Sequence, residues 1–139
     1  MTIFMMESFK YLPQQEKYPL PPRVISMNIA QEAGIRKNLS EDQRFAITLV
    51  NHFAYGALAA FFYFPLAKNK KVSNQVSGIG YGLFVWGINY LGFLPQLKLY
   101  RKPAKETFKR NIMMILAHVV WGSSLGLLQS LSDNSKKRL

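Results

Sequence analysis

Three long runs without internal charge constrain the fold of this chain more than any other feature. They cover residues 44–67, 76–97 and 109–131, and charged side chains stand only at their N-terminal ends. In a helix, about 20 apolar residues at about 1.5 Å each span a hydrocarbon core about 30 Å thick, and lipid requires every backbone group to be satisfied internally. Helices of a soluble bundle need a polar face, which these runs lack. The sequence therefore predicts an all-α integral membrane helical bundle with three transmembrane helices.

A short amphipathic helix is predicted before the first run. Prolines at 19, 21 and 22 hold the chain extended, and Pro22 suits the first position of a helix formed by RVISMNIAQEAGIRK. Gly34 suits its C-terminal cap. The apolar side chains of this helix have the spacing expected on a membrane surface: Val24, Ile25, Met27, Ile29 and Ile35.

The domain organisation follows from these elements. We expect an N-terminal interfacial or cytoplasmic segment with a proline-rich spacer at 1–40, the three-helix transmembrane domain at 41–132, and a basic C-terminal tail at 133–139. Ser40 and Gln43 have the spacing of a capping box, which predicts the start of the first membrane helix. The opening MTIFMMESFKYLP is too short to span a membrane alone. It is predicted to be an interfacial helix or the end of a helix that begins before this sequence.

The basic residues indicate a membrane location and an orientation. A net charge of +11 suits nucleic-acid binding, but here the Lys and Arg residues lie between the apolar runs rather than along one helix face. Six lie in residues 1–44 and six in 98–110, against three in the first loop and three at the C-terminus. This bias predicts a multi-pass bacterial inner-membrane protein with a cytoplasmic N-terminus and an external C-terminus, and no nucleic-acid partner. Aromatic residues near the run ends suit the headgroup zone: Tyr63, Tyr81, Tyr90 and Tyr100.

The first and third runs share a motif. NHFAYGALAA at 51–60 and AHVVWGSSLG at 117–126 both carry a histidine, an aromatic residue, a glycine and a small residue at the same offsets. Small residues four apart allow membrane helices to approach closely, and the second run has a similar stripe. The residues predicted at helix contacts are Gly56, Ala60, Gly78, Gly82, Gly122 and Gly126.

A polar layer is predicted in the middle of the bundle. His52 lies eight residues after Arg44, and His118 lies eight residues after Arg110. Both are then about 12 Å along their helices, near the midplane, and Asn89 is near the middle of the second run. An unpartnered polar group in hydrocarbon costs several kcal/mol. We therefore expect the two histidines and Asn89 to bond to one another inside the bundle.

Three functions fit such a layer. In the first, it holds helices together in a binding, assembly or accessory subunit that associates with itself or with other membrane subunits, because three short spans bury little surface alone. In the second, it forms the path of a small proton or solute transporter or channel, since histidine titrates near neutral pH. In the third, His52 and His118 are paired axial ligands of haem. The sequence favours the first function.

An enzyme is not expected. The chain has no cysteine, which excludes disulfides and thiolate metal sites, and it contains no P-loop, dinucleotide fingerprint, nucleophile elbow or HExxH motif. All seven carboxylates lie outside the apolar runs. We therefore expect no catalytic residue and no metal site. The expected partner is the lipid bilayer.

Four stretches resemble a known family. They are KYPLPPR, NHFAYGALAA, GLFVWGINYLGFLP and AHVVWGSSLG, and they are similar to the YagU-like family of uncharacterised small bacterial inner-membrane proteins. The resemblance covers residues 17–130 and is most specific in PLPPR and AHVVWG. It implies a membrane protein with a further transmembrane helix before the proline segment, where this chain has only MTIFMMESFKYL. It implies no reaction, ligand or catalytic residue.

Overall fold

The computed structural model describes residues 2–67 and 72–136, which are all-α with no strand. Short 3₁₀ turns lie at Gln14–Glu16, Arg36–Asn38 and Pro103–Lys105, and a π-helical turn lies at Ile88–Phe93. All three basic residues of the first loop, within 68–71, and two of the three at the C-terminus, within 137–139, lie outside the described residues. The helices of the described ranges are α1 (Thr2–Lys10), α2 (Pro21–Glu32), α3 (Glu41–Ala67), α4 (Asn74–Gly87), α5 (Leu94–Gln96) and α6 (Phe108–Lys136).

Two helices are long and apolar enough to cross a membrane. They are α3 with 27 residues and α6 with 29 residues. The second apolar run is divided, because the π-helical turn separates α4 with 14 residues from α5 with three. The all-α prediction is confirmed, and two of the three predicted spans are present as single long helices.

The closest helix pair is α4 against α6, which run antiparallel. A Cβ atom added to Gly78 would lie 2.2 Å from the Gly122 carbonyl oxygen, and one added to Gly82 would lie 2.3 Å from that of His118. These distances are far below a normal carbon–oxygen contact of about 3.5 Å. Since the opposing atoms are backbone, only glycine permits this approach.

The predicted contact residues divide into two groups. Gly78, Gly82, Gly122 and Gly126 all lie where α4 crosses α6. In α3, by contrast, a Cβ on Gly56 would meet only Trp121 Nε1, at 4.0 Å, and Ala60 packs beside a small core cluster. Helix α3 therefore packs less closely on α6 than α4 does, and only Ala59, Tyr63 and Ala67 of it are buried. Its exposed large apolar residues are Phe45, Val50, Phe53, Tyr55, Leu58, Phe61, Phe62 and Leu66.

Helix α2 packs on the bundle. Its residues Ser26, Met27 and Ala30 are buried, and Asn51 of α3 donates a hydrogen bond to Ser26 Oγ at 3.3 Å. The sequence predicted that the apolar face of this helix lies on a membrane surface. Part of that face packs on other helices, since Met27 is buried and Val24 and Ile25 contact a cluster formed by Tyr90, Tyr100 and Met114. Ile29 and Ile35 of the same face are 44% and 47% exposed, as a surface position requires.

The helix ends follow local rules. Ser40 N–H donates to Gln43 Oε1 at 2.9 Å and Gln43 N–H to Ser40 Oγ at 3.3 Å, which confirms the predicted capping box at the start of α3. Gly34 has φ +72° at the end of α2, as its predicted capping role requires. Helix α2 begins at Pro21, one residue earlier than predicted.

Candidate functional site

A cavity of about 180 Å³ lies between α2, α3, α4 and α6. Its walls are mainly apolar, and His52, Asn89 and His118 all line it. They reach it from α3, the π-helical turn and α6 respectively. The structure thus brings the three residues of the predicted polar layer to one space.

These three residues do not bond to one another within the part of the chain that the structure describes. Asn89 Nδ2 donates to Tyr55 OH at 2.7 Å and to the carbonyl one turn earlier in its own helix at 2.7 Å. His118 Nδ1 lies 2.8 Å from the carbonyl oxygen of Met114, also one turn earlier. His52 has no hydrogen-bond partner in residues 2–67 and 72–136, although its ring meets Phe53 edge-on. The expected mutual bonding is therefore replaced by bonds to backbone and tyrosine.

The bonds already made define which atoms remain for a ligand. Both amide hydrogens of Asn89 are used, so its Oδ1 is left as an acceptor. A carbonyl can only accept, so Nδ1 of His118 is the protonated nitrogen, and in the neutral ring Nε2 is an acceptor. His52 can serve as donor or acceptor. The cavity therefore has apolar walls and a few polar atoms available to a bound molecule.

Tyr90 is a further cavity residue that sequence reasoning missed. It is only 6% exposed, it lines the cavity, and its hydroxyl has no hydrogen-bond partner among the described residues. Its ring stacks on Trp86 and meets the ring of His118 edge-on, with centroids 6.0 Å apart. The sequence placed Tyr90 at the headgroup level, but the π-helical turn carries it, with Asn89, to the cavity. π-Helical turns are frequent at functional sites, and no pattern in the local sequence predicts this one.

A buried ionic cluster holds one end of the bundle. The side chains of Glu106 and Arg110 have no solvent exposure, and Arg110 Nε lies 3.2 Å from Glu106 Oε2. The guanidinium also donates to the carbonyl oxygens of Glu16, Tyr18 and Pro19 at 2.9, 3.1 and 3.1 Å. Its Cζ atom sits 3.7 Å from the centre of the Tyr18 ring. These contacts tie the proline-rich segment to the first turn of α6.

Glu106 is the acceptor at the centre of this cluster. The hydroxyls of Tyr18 and Tyr100 both donate to it, the latter at 2.8 Å, and Arg101 Nε lies 3.0 Å away. Burial, and then the hydrogen bond to Glu106, raise the pKa of Tyr18 and of Tyr100 above the ordinary tyrosine value. Sequence reasoning counted both arginines only as orientation signals. The available clue was the four-residue spacing of Glu106 and Arg110, which pairs opposite charges on a helix. In the structure Glu106 is extended and lies two residues before α6 begins.

The ionic cluster also positions one wall of the cavity. Helix α2 follows directly on Pro19, and its Asn28 Nδ2 donates to the carbonyl of Leu99 at 2.8 Å, beside the cluster. From this anchored helix, Ile25, Ser26 and Ile29 line the cavity. The cluster therefore fixes the helix that closes the cavity on one side.

The chain was compared with known proteins. Residues 12–127 match the family described as protein of unknown function (DUF1440). No curated protein and no solved structure matches the chain. The matched range includes the ionic cluster, the glycine contacts of α4 with α6, and the lining of the cavity beyond α1. The chain belongs to the DUF1440 family.

Proposed function

We propose that this chain is a multi-pass protein of the bacterial inner membrane that spans the bilayer three times and serves as a non-enzymatic binding or assembly subunit. Within its family, the PLPPR and AHVVWG stretches support grouping it with the YagU-like proteins. Its surroundings are then lipid, and its partners are a second copy or other membrane subunits.

The contact between α4 and α6 supports the third span. Together, α4, the π-helical turn and α5 form a helical segment of 23 residues, 74–96, which at about 1.5 Å per residue matches a hydrocarbon core about 30 Å thick. If α6 crosses the membrane, α4 crosses beside it, because the glycine contacts leave no space between them. Apolar side chains face outward along this segment: Val76, Leu83, Phe84, Ile88, Leu91 and Phe93.

The ionic cluster supports the orientation. The hydrogen bonds of Arg110 to the carbonyls of residues 16–19 keep the two most basic segments at the same end of the bundle. We propose that this end is cytoplasmic. Reporter fusions test it: a fusion within 98–105 should give cytoplasmic signal, and one after Leu139 should give external signal. External signal from 98–105, with cytoplasmic signal after Leu139, would contradict the orientation.

The cavity is the feature that supports a binding role. Its walls are mainly apolar, and they carry a few polar atoms that have no hydrogen-bond partner among the described residues. Ligand sites usually have this composition. Purification of the intact chain in mild detergent tests the role through the mass of the complex and mass spectrometry of extracted small molecules. We expect a retained molecule, a second copy or a partner chain. A monomer that retains nothing would refute the proposal.

Transport is a second candidate, favoured by the two imidazoles at one cavity. The purified chain in liposomes with a pH-sensitive dye tests it directly. A proton path through His118 requires that His118→Asn stop the flux while the protein stays folded. Absence of flux in the unaltered protein would exclude this candidate.

Haem binding is a third candidate by its ligands only, because a cavity of about 180 Å³ would have to widen to take a macrocycle of four pyrrole rings. His52 and His118 line the same cavity, and a histidine that donates Nδ1–H to a carbonyl has Nε2 free for a metal. No group of three or more histidine, cysteine or acidic side chains that could hold a metal occurs in residues 2–67 and 72–136. An absorbance scan of the purified protein decides: a Soret band would support haem, and a colourless preparation after growth with excess haem would exclude it.

A further inference from the structure

The size of the cavity limits what it can bind. Its volume of about 180 Å³ is slightly above that of an engineered protein cavity of about 150 Å³ that takes up benzene. Pockets for drug-sized molecules are larger, about 300 to 1,000 Å³. The cavity therefore accommodates one substituted ring but not a whole lipid.

Unsatisfied polar groups specify the chemistry of that ring. The hydroxyl of Tyr90 and the imidazole of His52 have no hydrogen-bond partner among the described residues, and Asn89 keeps a carbonyl oxygen as acceptor. A bound hydrocarbon ring would shield these groups from water without giving them partners, which is unfavourable. A ring that carries oxygen atoms as hydroxyl or carbonyl groups would bond to them while its faces meet the apolar walls.

The rim of the cavity indicates how such a molecule enters. Ile29 of α2 and Tyr55 of α3 line the cavity and are 44% and 50% exposed, so the cavity reaches the surface between these helices. Beyond the rim, exposed Leu58 and Phe62 continue an apolar surface along α3. A hydrocarbon tail attached to the ring would lie on this surface, in contact with lipid.

We propose that the cavity binds the head ring of a lipid-soluble phenol or quinone. The ring oxygens meet Tyr90, His52 and Asn89, and the tail leaves between α2 and α3. The inference rests on the binding role proposed above and adds the chemical class of the ligand.

Tryptophan fluorescence provides the assay. The chain has two tryptophans, and Trp121 lines the cavity whereas Trp86 does not. In a Trp86→Phe background, the purified full-length protein in detergent reports on the cavity through Trp121 alone. The probe is decylplastoquinone, a quencher with a benzoquinone ring and a ten-carbon tail. We expect saturable quenching that decylphenol reverses and that decylbenzene, which lacks ring oxygens, does not.

Two substitutions of the same kind test the location. Gly56→Leu puts a side chain into the cavity, and its Cβ meets only Trp121 Nε1 at 4.0 Å, so the backbone need not move. Gly80→Leu adds the same side chain to α4, where a Cβ would meet nothing within 4 Å and the cavity is not reached. We expect Gly56→Leu to weaken quinone binding at least about tenfold and Gly80→Leu to leave it unchanged. Equal binding by both variants would overturn the proposed site.

Tyr90→Phe tests the polar recognition. It keeps the ring and removes only the unpartnered hydroxyl, so the unfolding midpoint should stay equal or rise, while affinity for the quinone falls about tenfold. Unchanged affinity would overturn the proposed ligand class. So would displacement of the quinone by decylbenzene as readily as by decylphenol. Neither result affects the fusion signals or a co-purifying partner chain, so failure here is distinguishable from failure of the proposed function.

Discussion

Substitution of Gly78 by alanine tests whether backbone contact between α4 and α6 holds the bundle together. The added Cβ would lie 2.2 Å from the Gly122 carbonyl oxygen and 2.7 Å from the Gly126 backbone nitrogen. Neither atom belongs to a flexible side chain. The two helices must therefore move apart by about 1 Å at this crossing to reach an ordinary contact distance of about 3.5 Å.

The magnitude follows from two opposing effects. Overpacking in a well-packed interior costs about 1–3 kcal/mol, and alanine in a helix gains about 0.5–1 kcal/mol over glycine. We expect Gly78→Ala to lower the free energy of unfolding by about 1–2 kcal/mol. Gly80→Ala is the matched control two residues away, since a Cβ there meets nothing within 4 Å. It should be neutral or raise stability by up to about 1 kcal/mol.

The assay is unfolding in mixed micelles, in which sodium dodecyl sulfate is titrated into the detergent-purified protein and helix content is followed by far-ultraviolet circular dichroism. Gly78→Ala should unfold at a lower fraction of the denaturing detergent than the unaltered chain, and Gly80→Ala should not. The same midpoint for both alanine variants would refute the close approach of α4 and α6.

Three further predictions use the same unfolding assay. Arg110→Leu removes the buried one of the two arginines that pair with Glu106 and should lower the free energy of unfolding by about 3 kcal/mol, the low end for a broken buried pair, because Arg101 remains. An equal loss from removing the exposed Lys109 would contradict a specific role for the cluster. The raised pKa of Tyr18 means that the folded state holds this proton more tightly than the unfolded chain does. Its contribution to the free energy of unfolding is therefore fully present below about pH 10 and is lost as the pH rises beyond that value. Tyr18→Phe should make the free energy of unfolding decrease less steeply above about pH 10. An unchanged slope would contradict the role of this hydroxyl in the pH dependence. The free energy of unfolding of His118→Asn should exceed that of His118→Leu by about 0.6 kcal/mol, because asparagine keeps a donor and an acceptor. The reverse order would argue against a hydrogen-bonding role for His118.

Features written in short stretches of sequence were predictable. The apolar runs, the capping box at Ser40 and Gln43, and the cap at Gly34 depend on neighbours within about one turn of helix. The glycine stripes are also local, since four-residue spacing places Gly78 and Gly82 on one face whatever the partner helix is. For these features, helix geometry alone is sufficient.

Features that depend on contacts between distant residues were not predictable from the sequence. Tyr90 was assigned to the headgroup zone because its position near a run end is typical of interfacial aromatics, but a π-helical turn carries it to the cavity. The buried state of Arg110 depends on carbonyl groups more than 90 residues earlier in the chain. Likewise, the wall formed by α2 depends on the bond of Asn28 to Leu99. A charge count cannot separate a buried arginine from an exposed one.

The repeated motif of α3 and α6 has different surroundings in its two copies, and this difference explains the cavity. In α6, Gly122 meets the backbone of α4, with 2.3 Å from its added Cβ to the Gly78 carbonyl oxygen. In α3, the corresponding Gly56 meets only the edge of an indole at 4.0 Å. The motif copy in α6 thus packs tightly on α4, whereas the copy in α3 leaves space beside its own helix. Each copy brings its histidine to that space, His52 from α3 and His118 from α6. Two equally close helix contacts would have closed the bundle, whereas one close contact and one open contact leave a site lined by both histidines.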